Sequence, residues 1–453
     1  MNGKQRKAIN ARDGALQALI RYEQDQAYLN LLLPSLTAHL PAAEIGLARQ
    51  LAAGVVGRLN TLDWLLSQFS KHNLNTMTPS IRNLLRLGLY QLLYLDRIPA
   101  YAAINETVKL ARRYGHRGTA GLVNALLRRI NREKANLPWP DRQAEPLLSM
   151  SLRCSLPLWL AERAIMRFGQ EEAQIWASSV NSRPPLTLRP NCMRTDPAEL
   201  VEALEKEEIT ARVSPLVPWM VRVESSGFVP AKSSAFKNGY FTVQGESSAL
   251  VAPLLNPSSG GIVVDLCSAP GGKTTHLAEL MDGRGTVYAV EPHGNRLRLV
   301  ESAALRLGLQ NIVTLNLDGR QLNQNLIKAP EAILVDAPCS GLGVIGRLPE
   351  IKWRRQYSDL AGLQQQQLEL LSAAADLLSA GGLLIYSVCS TEPEETSAVV
   401  EQFNRKQQVF FPLPLQNHLP AGFHAAENPK GQLTLWPHRQ GLDGFFIARW
   451  IKK

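Results

Sequence analysis

Apolar residues recur three or four positions apart through almost the whole first third of the chain, from Arg6 to about Asn136. Ala15, Leu16, Leu19 and Ile20 predict one helix, and Ile45, Leu47, Leu51, Val55, Leu59 and Leu62 another. Leu84, Leu85, Leu87, Leu92 and Leu95 mark a third helix, which ends at the Ile98-Pro99 step. Patterns over 104–114 and 122–130 complete an all-α unit. The stretch Leu137-Pro138-Trp139-Pro140 then stops it, because two prolines so close together cannot continue a helix. Further on, 157–168, 170–180 and 197–207 read as helices, and 186–189 and 219–223 as strands, a small α+β insert. From Phe241 onward the pattern changes. Apolar strands at 262–265, 286–290, 312–315, 332–335 and 383–388 alternate with helical patterns, as in doubly wound α/β folds. Three parts are expected, at 1–140, 141–235 and 236–453. The run Gln364 to Gln367 lies inside a helical pattern and reads as surface.

Ligands of such sheets lie outside the carboxyl ends of the strands. In chain order the residues there are Asp265, Glu291, Asp318, Asp336 and Cys389. The first strand leads into Cys267-Ser268-Ala269-Pro270-Gly271-Gly272-Lys273, a glycine-rich turn opening a helix. Glycine there lets backbone approach a ligand, and the free N–H groups of the helix start offer donors. Gly272-Lys273-Thr274 also ends a Walker phosphate loop, but the glycine required five residues earlier is Cys267. No G-x-G-x-x-G is present at this turn either. Glu291, ending the next strand, suits the two ribose hydroxyls of an adenosine. S-adenosylmethionine (SAM) is the nucleotide that fits best. Asp265 itself reads as a hydrogen-bond anchor for the loop.

Composition narrows the picture. The chain has 453 residues, enough for two or three cores, and no apolar run of the ~18 residues that a membrane span needs. Its polar start lacks a signal-peptide pattern, so a cytoplasmic location without membrane attachment is expected. Five scattered cysteines without CxxC spacing support neither a disulfide framework nor a zinc site, and the eight histidines show no ligand spacing, so no metal is expected. Cys154 and Cys192 read as structural. Of 49 Lys and Arg and 39 Asp and Glu, residues 1–150 hold 20 and 10. The net charge of +10 therefore belongs to the N-terminal third. Lys109, Arg112, Arg113, Arg117, Arg128, Arg129, Arg132 and Lys134 form its densest run, suited to phosphates, although a solvated basic face is the plainer alternative.

Asp336-Ala337-Pro338-Cys339-Ser340-Gly341 follows the fourth strand of the α/β part, and Tyr386-Ser387-Val388-Cys389-Ser390 closes the fifth. Two cysteines thus end neighbouring strands beside the expected methyl donor. Carbon 5 of a pyrimidine is too weak a nucleophile to take a methyl group unaided. A thiolate adding to carbon 6 makes carbon 5 enamine-like, and a carboxyl group such as Asp336 can share a proton at ring nitrogen 3. Amino-group methyltransferases would instead be expected to carry Asn/Asp-Pro-Pro-aromatic at the fourth strand.

With these motifs the chain resembles the RNA 5-methylcytosine methyltransferases, specifically the bacterial ribosomal RNA small-subunit methyltransferase B (Fmu/Sun) family. The motifs 265–274, 336–341, Pro349-Glu350-Ile351-Lys352-Trp353, 386–390 and Asp443-Gly444-Phe445-Phe446 occur in the family's order. The resemblance implies a multidomain chain: an all-α NusB-like bundle, a small α+β insert and a Rossmann-like SAM-dependent domain. It implies methylation of cytosine carbon 5 in 16S ribosomal RNA, with Cys389 as nucleophile and Cys339 aiding product release. It places Cys267 to Lys273 around the methionine part of SAM, Glu291 at the ribose, Asp318 near adenine, and Asp336 near both donor and base. Having both cysteines favours RNA over DNA.

Three departures stand out: Glu291 where aspartate is usual, Val388 where threonine is usual, and Gln244-Gly245-Glu246 where Gln-Asp is common. Lys352 and Trp353 suit either RNA contact or packing, and the insert either RNA binding or a structural role. The expected partner is small-subunit ribosomal RNA, free or in an early assembly intermediate, bound by a monomer. A transfer RNA substrate, or a non-catalytic RNA-binding factor retaining the SAM fold, are the alternatives.

Overall fold

The computed structural model describes residues 7–225, 227–327, 329–428 and 430–453, so Arg6, where the first helical pattern was drawn, lies outside them. The chain divides into two compact units, one within Met1–Asn181, Ser226–Phe228 and Leu348–Arg354, the other within Ser182–Ser225, Val229–Arg347 and Arg355–Lys453.

The first unit is all helix. Ala11–Asp25 starts where the Asn10 side chain accepts from the Asp13 amide, and Pro79–Tyr94 starts at Thr78 with proline in the first turn, where no N–H donor is required. With Ala42–Gly57, Leu59–Phe69, Ala100–Tyr114 and Arg117–Arg132 these helices enclose Leu16, Leu51, Leu62, Leu65, Leu84 and Leu127, all fully buried. Each such leucine contributes roughly 2 kcal/mol by leaving water. The segment Leu348–Arg354 belongs to this unit although its sequence neighbours belong to the other. Lys352, with no exposure, donates to Gly57 O and Asn181 Oδ1, both at 2.8 Å, and Trp353 Nε1 donates to Val56 O at 2.7 Å. Of the two sequence readings for this pair, the structure shows packing.

The second unit holds two sheets. The smaller is antiparallel, in the order β2-β3-β1-β4, from β1 (Leu186–Pro190), β2 (Ala211–Val213), β3 (Val221–Val223) and β4 (Phe241–Val243). Phe241, where the sequence pattern places the start of the α/β part, therefore pairs instead with β1. The larger sheet contains β5 (Ile262–Asp265), β6 (Thr286–Val290), β7 (Ile312–Leu315), β8 (Ala332–Asp336) and β9 (Leu383–Val388), all parallel. These match the five apolar runs. The sheet continues antiparallel through β13 (Phe445–Lys452), β12 (Gln432–Leu435) and β11 (Glu427–Asn428), while β10 (Phe410–Pro412) pairs with β13. The sheet is thus mixed, in the order β11-β12-β13-β9-β8-β5-β6-β7, which brings the carboxyl ends of β5, β8 and β9 side by side. Among the described residues no helix is long and apolar enough to cross a membrane.

Candidate active site

The turn after β5 is built around a buried carboxyl group. Asp265 accepts from Thr274 Oγ1 at 2.7 Å, and burial pushes its pKa up to about 7. The anchoring role read from the sequence is what the geometry displays. Ser268 Oγ donates to Val290 O, fastening the turn to β6, and Gly271 adopts φ 105° where an added Cβ would stand 3.1 Å from Val300 Cα. Only glycine enters that cradle without strain. The helix Gly272–Leu280 follows directly, its first N–H groups without helical partners. Burial raises the Cys267 thiol pKa well above its usual value, so this cysteine lines the turn as a neutral thiol.

Glu291 follows β6, its side chain 3% exposed, and accepts from the His293 amide at 3.0 Å while Arg296 lies 3.2 Å from its other oxygen. Arg296 also donates to Ala269 O, tying the two carboxyl-end loops together. Asp318, after β7, bonds Arg320 through both oxygens, which holds its carboxyl group below the usual range. These groups suit an adenosyl ligand: a glycine cradle at a helix start, a fixed carboxylate one strand over, and further acidic character beyond it.

The opposite wall comes from β8 and β9. Asp336 accepts from Lys273 Nζ at 2.6 Å and from Ser387 Oγ at 2.7 Å, and the Lys273 ammonium stands 5.2 Å from the Phe445 ring centroid. Cys339 and Cys389 meet with their sulfur atoms 3.3 Å apart. That hydrogen bond, followed by burial, pushes the Cys339 pKa well above its usual value. A cavity of about 230 Å³ is lined by Ser247, Lys273, Asp336, Cys389, Asp443 and Phe445 among others. At its edge Arg347 donates to Asp443 at 2.7 Å. Gly343 donates to Cys389 O and accepts from Gly444, and a Cβ on Gly343 would fall 2.0 Å from Gly444 O. The Asp-Gly-Phe-Phe stretch is therefore laced to both cysteine loops.

Sequence reasoning missed the group that organises those loops. Glu395, fully buried, accepts from Ser340 N at 2.7 Å, from Ser340 Oγ and Ser390 Oγ at 2.5 Å, and from Gln367 Nε2 at 3.2 Å. Gln367, expected on the surface with its glutamine neighbours, is instead buried and donates also to Pro338 O, because this helix face lies beneath the Cys339 loop. A run of glutamines carries no periodic signal that distinguishes the inward one. Glu246, one of the departures, is buried and bonded by Arg222 and Ser214, which makes it structural.

In the helical unit, Lys109 and Arg112 lie exposed on the helix Ala100–Tyr114, and Arg128, Arg129 and Arg132 on the adjacent helix Arg117–Arg132. Arg113 departs from this set: its side chain is 20% exposed and sits 3.7 Å from the buried Asp13, which holds it against the bundle. Arg129 also covers the Phe69 ring.

Comparison with known proteins places each part. Residues 252–451 match the family described as 16S rRNA methyltransferase RsmB/F, residues 9–132 the NusB family, and residues 156–229 the RsmF/B-like ferredoxin-like domain. The chain is 38% identical to the probable ribosomal RNA small subunit methyltransferase B of Bacillus subtilis, covering 99% of this chain and 100% of that one. It is 33% identical to ribosomal RNA small subunit methyltransferase B of Cronobacter sakazakii, again over 99% and 100%. The crystal structure of PH0851 superposes with a TM-score of 0.81 at 26% identity, covering 99% of this chain and 100% of that one.

Proposed function

The chain belongs to the RsmB/F family of SAM-dependent 16S rRNA methyltransferases, and from that premise we propose that it methylates carbon 5 of a cytosine through a covalent adduct on Cys389. The observation that carries the proposal is the pair of sulfur atoms 3.3 Å apart at the ends of β8 and β9, next to Asp336 and Lys273. A methyltransferase acting on a heteroatom has no use for two thiols there.

The Cys389 thiolate adds to carbon 6, and the Asp336–Lys273 pair exchanges a proton at ring nitrogen 3 as charge develops on the ring. Cys267 to Lys273 and Glu291 would hold SAM, which would supply carbon 5 with an electrophilic methyl group on its sulfonium and leave as the neutral thioether. A solvent water takes the carbon 5 proton, the electron pair of that carbon–hydrogen bond re-forms the carbon 5–carbon 6 double bond, and the carbon–sulfur bond breaks. Cys389 then leaves as thiolate. The raised pKa of Cys339 keeps it a thiol, placed to donate to the departing sulfur and so assist release. A base held in the cavity of about 230 Å³ must first leave its stack. The basic helix pair would hold the RNA backbone, and a monomer acting on free RNA or on an early assembly intermediate fits the same reading.

The test is methyl transfer from labelled SAM to unmodified small-subunit ribosomal RNA, read at base resolution. Wild type is expected to form 5-methylcytosine at one position, and Cys389→Ala to be inactive. Cys339→Ala is expected to accumulate a protein–RNA adduct that survives denaturant. If Cys339→Ala alone abolishes covalent attack, the nucleophile is Cys339 and not Cys389. Methylation of transfer RNA but not of this RNA would move the substrate.

A further inference from the structure

The small antiparallel sheet has an apolar and a polar face, and Leu188 and Val221 on the first and Thr187 and Arg189 on the second are buried. Leu188 and Val221 are paired in register and point into the insert's own core. The alternate positions Thr187, Arg189, Arg222 and Thr242 fall on the other face, since Thr187 pairs with Arg222 and Arg189 with Thr242. An RNA-binding sheet of this kind would present aromatic rings to bases on its open face. Here that face carries Arg189, Arg212 and Arg222; Arg212 pairs with the exposed Glu224, while Arg189 and Arg222 reach into the methyltransferase part of the same unit. Arg222 grips Glu246, the residue before cavity-lining Ser247.

Arg189 is 1% exposed. One of its terminal nitrogens donates to Gly272 O at 2.6 Å and to the Gln244 side chain, and the other to Thr275 Oγ1 at 3.1 Å and Glu279 Oε1 at 2.7 Å. All of these except Gln244 lie on the helix that opens at the glycine-rich turn. A guanidinium presents its donors in a fixed fork, so it sets the orientation of that turn as well as neutralising Glu279. Burying the arginine and glutamate here is costly unless both keep their partners.

We propose that the ferredoxin-like insert is a working part of the SAM site, with Arg189 as the positioning residue that aims the glycine-rich turn at the methyl donor. The inference rests on the assignment of Cys267 to Lys273 and Glu291 to SAM. It is independent of which RNA atom is methylated.

SAM binding to the full chain without RNA tests it, by titration calorimetry, alongside thermal unfolding. Arg189→Lys keeps the charge beside Glu279 but cannot fork to Gly272. The double variant Arg189→Met/Glu279→Gln removes both charges together. Each is expected to unfold near the wild-type temperature yet bind SAM about 10- to 100-fold more weakly. In methyl transfer the KM for SAM should rise in step while kcat at saturating SAM is retained. If both variants bind SAM as wild type does, Arg189 only satisfies a buried carboxylate and the proposal is overturned. It is equally overturned if both lose SAM binding only in proportion to lost folded protein. Glu291→Ala, measured alongside, separates the two readings: unchanged SAM affinity in that variant would sink the assignment of the SAM site itself.

Discussion

The carboxyl group of Asp265 is buried at the end of β5, where loss of water raises its pKa to about 7. Below about pH 4 it is protonated in both folded and unfolded chains. As pH rises toward 7 the unfolded chain ionises while the folded one holds its proton, so this residue lowers stability progressively across that window and adds no further loss above it. Asp265→Asn is therefore expected to unfold with a shallower pH dependence than wild type between pH 4 and 7, read as melting temperature against pH. Glu395 acts differently, through geometry. Four donors from two loops and one helix converge on it. Glu395→Ala removes their shared acceptor, at a cost of roughly 1–3 kcal/mol for each donor left buried without another partner. It also lets the two sulfur atoms drift. Misplacement of about 1 Å at a reacting centre lowers rates about 100-fold, so kcat is expected to fall by that order while SAM affinity, measured separately, holds.

At the scale of elements, the segment Leu348–Arg354 shows how a sequence motif can mean packing. Lys352 and Trp353 sit within a motif of the methyltransferase sequence, yet their side chains bond Gly57, Asn181 and Val56 of the helical unit. Burial drives the Lys352 pKa well below its usual value. Lys352→Ala is expected to lower unfolding free energy by about 2–4 kcal/mol, through lost packing and unpaired acceptors, and Lys352→Met to recover the packing share. Denaturant titration of the full chain checks both. Strands β5, β8 and β9 were legible because strands buried on both faces read as largely apolar runs. Strand β13 carries an apolar run of its own, Phe445 to Ala448, which ends at Arg449, whose terminal nitrogens donate to Leu254 O and Pro414 O, acceptors far away in the chain.

Across the whole molecule, charge and chemistry separate along the sequence. The net positive charge lies within residues 1–150, and the cysteine pair lies beyond 330. Replacing Lys109, Arg112, Arg128 and Arg132 together with alanine is expected to weaken RNA binding, most strongly at low salt. It should also reduce the slope of log affinity against log salt by roughly 3 for single-stranded RNA, with SAM affinity unchanged. Adding Arg113→Ala to that set should instead lower the melting temperature, because the buried Asp13, though still bonded by Tyr114 and Gln17, would lose the guanidinium beside it. The sequence by itself determined the α/β strands, the glycine-rich turn, the carboxylates at the strand ends and the two cysteine motifs. Each is a local pattern with a local physical cause, such as a glycine needed for an unusual φ or an apolar run needed for a buried strand. Tertiary structure alone decided that Glu395 binds both cysteine loops, that Gln367 turns inward, that Lys352 is buried, and that Arg189 crosses from the insert to the glycine-rich turn. Each of these is a polar side chain whose burial is tolerable only because partners far away in the chain complete its hydrogen bonds, and no local pattern records such a partner.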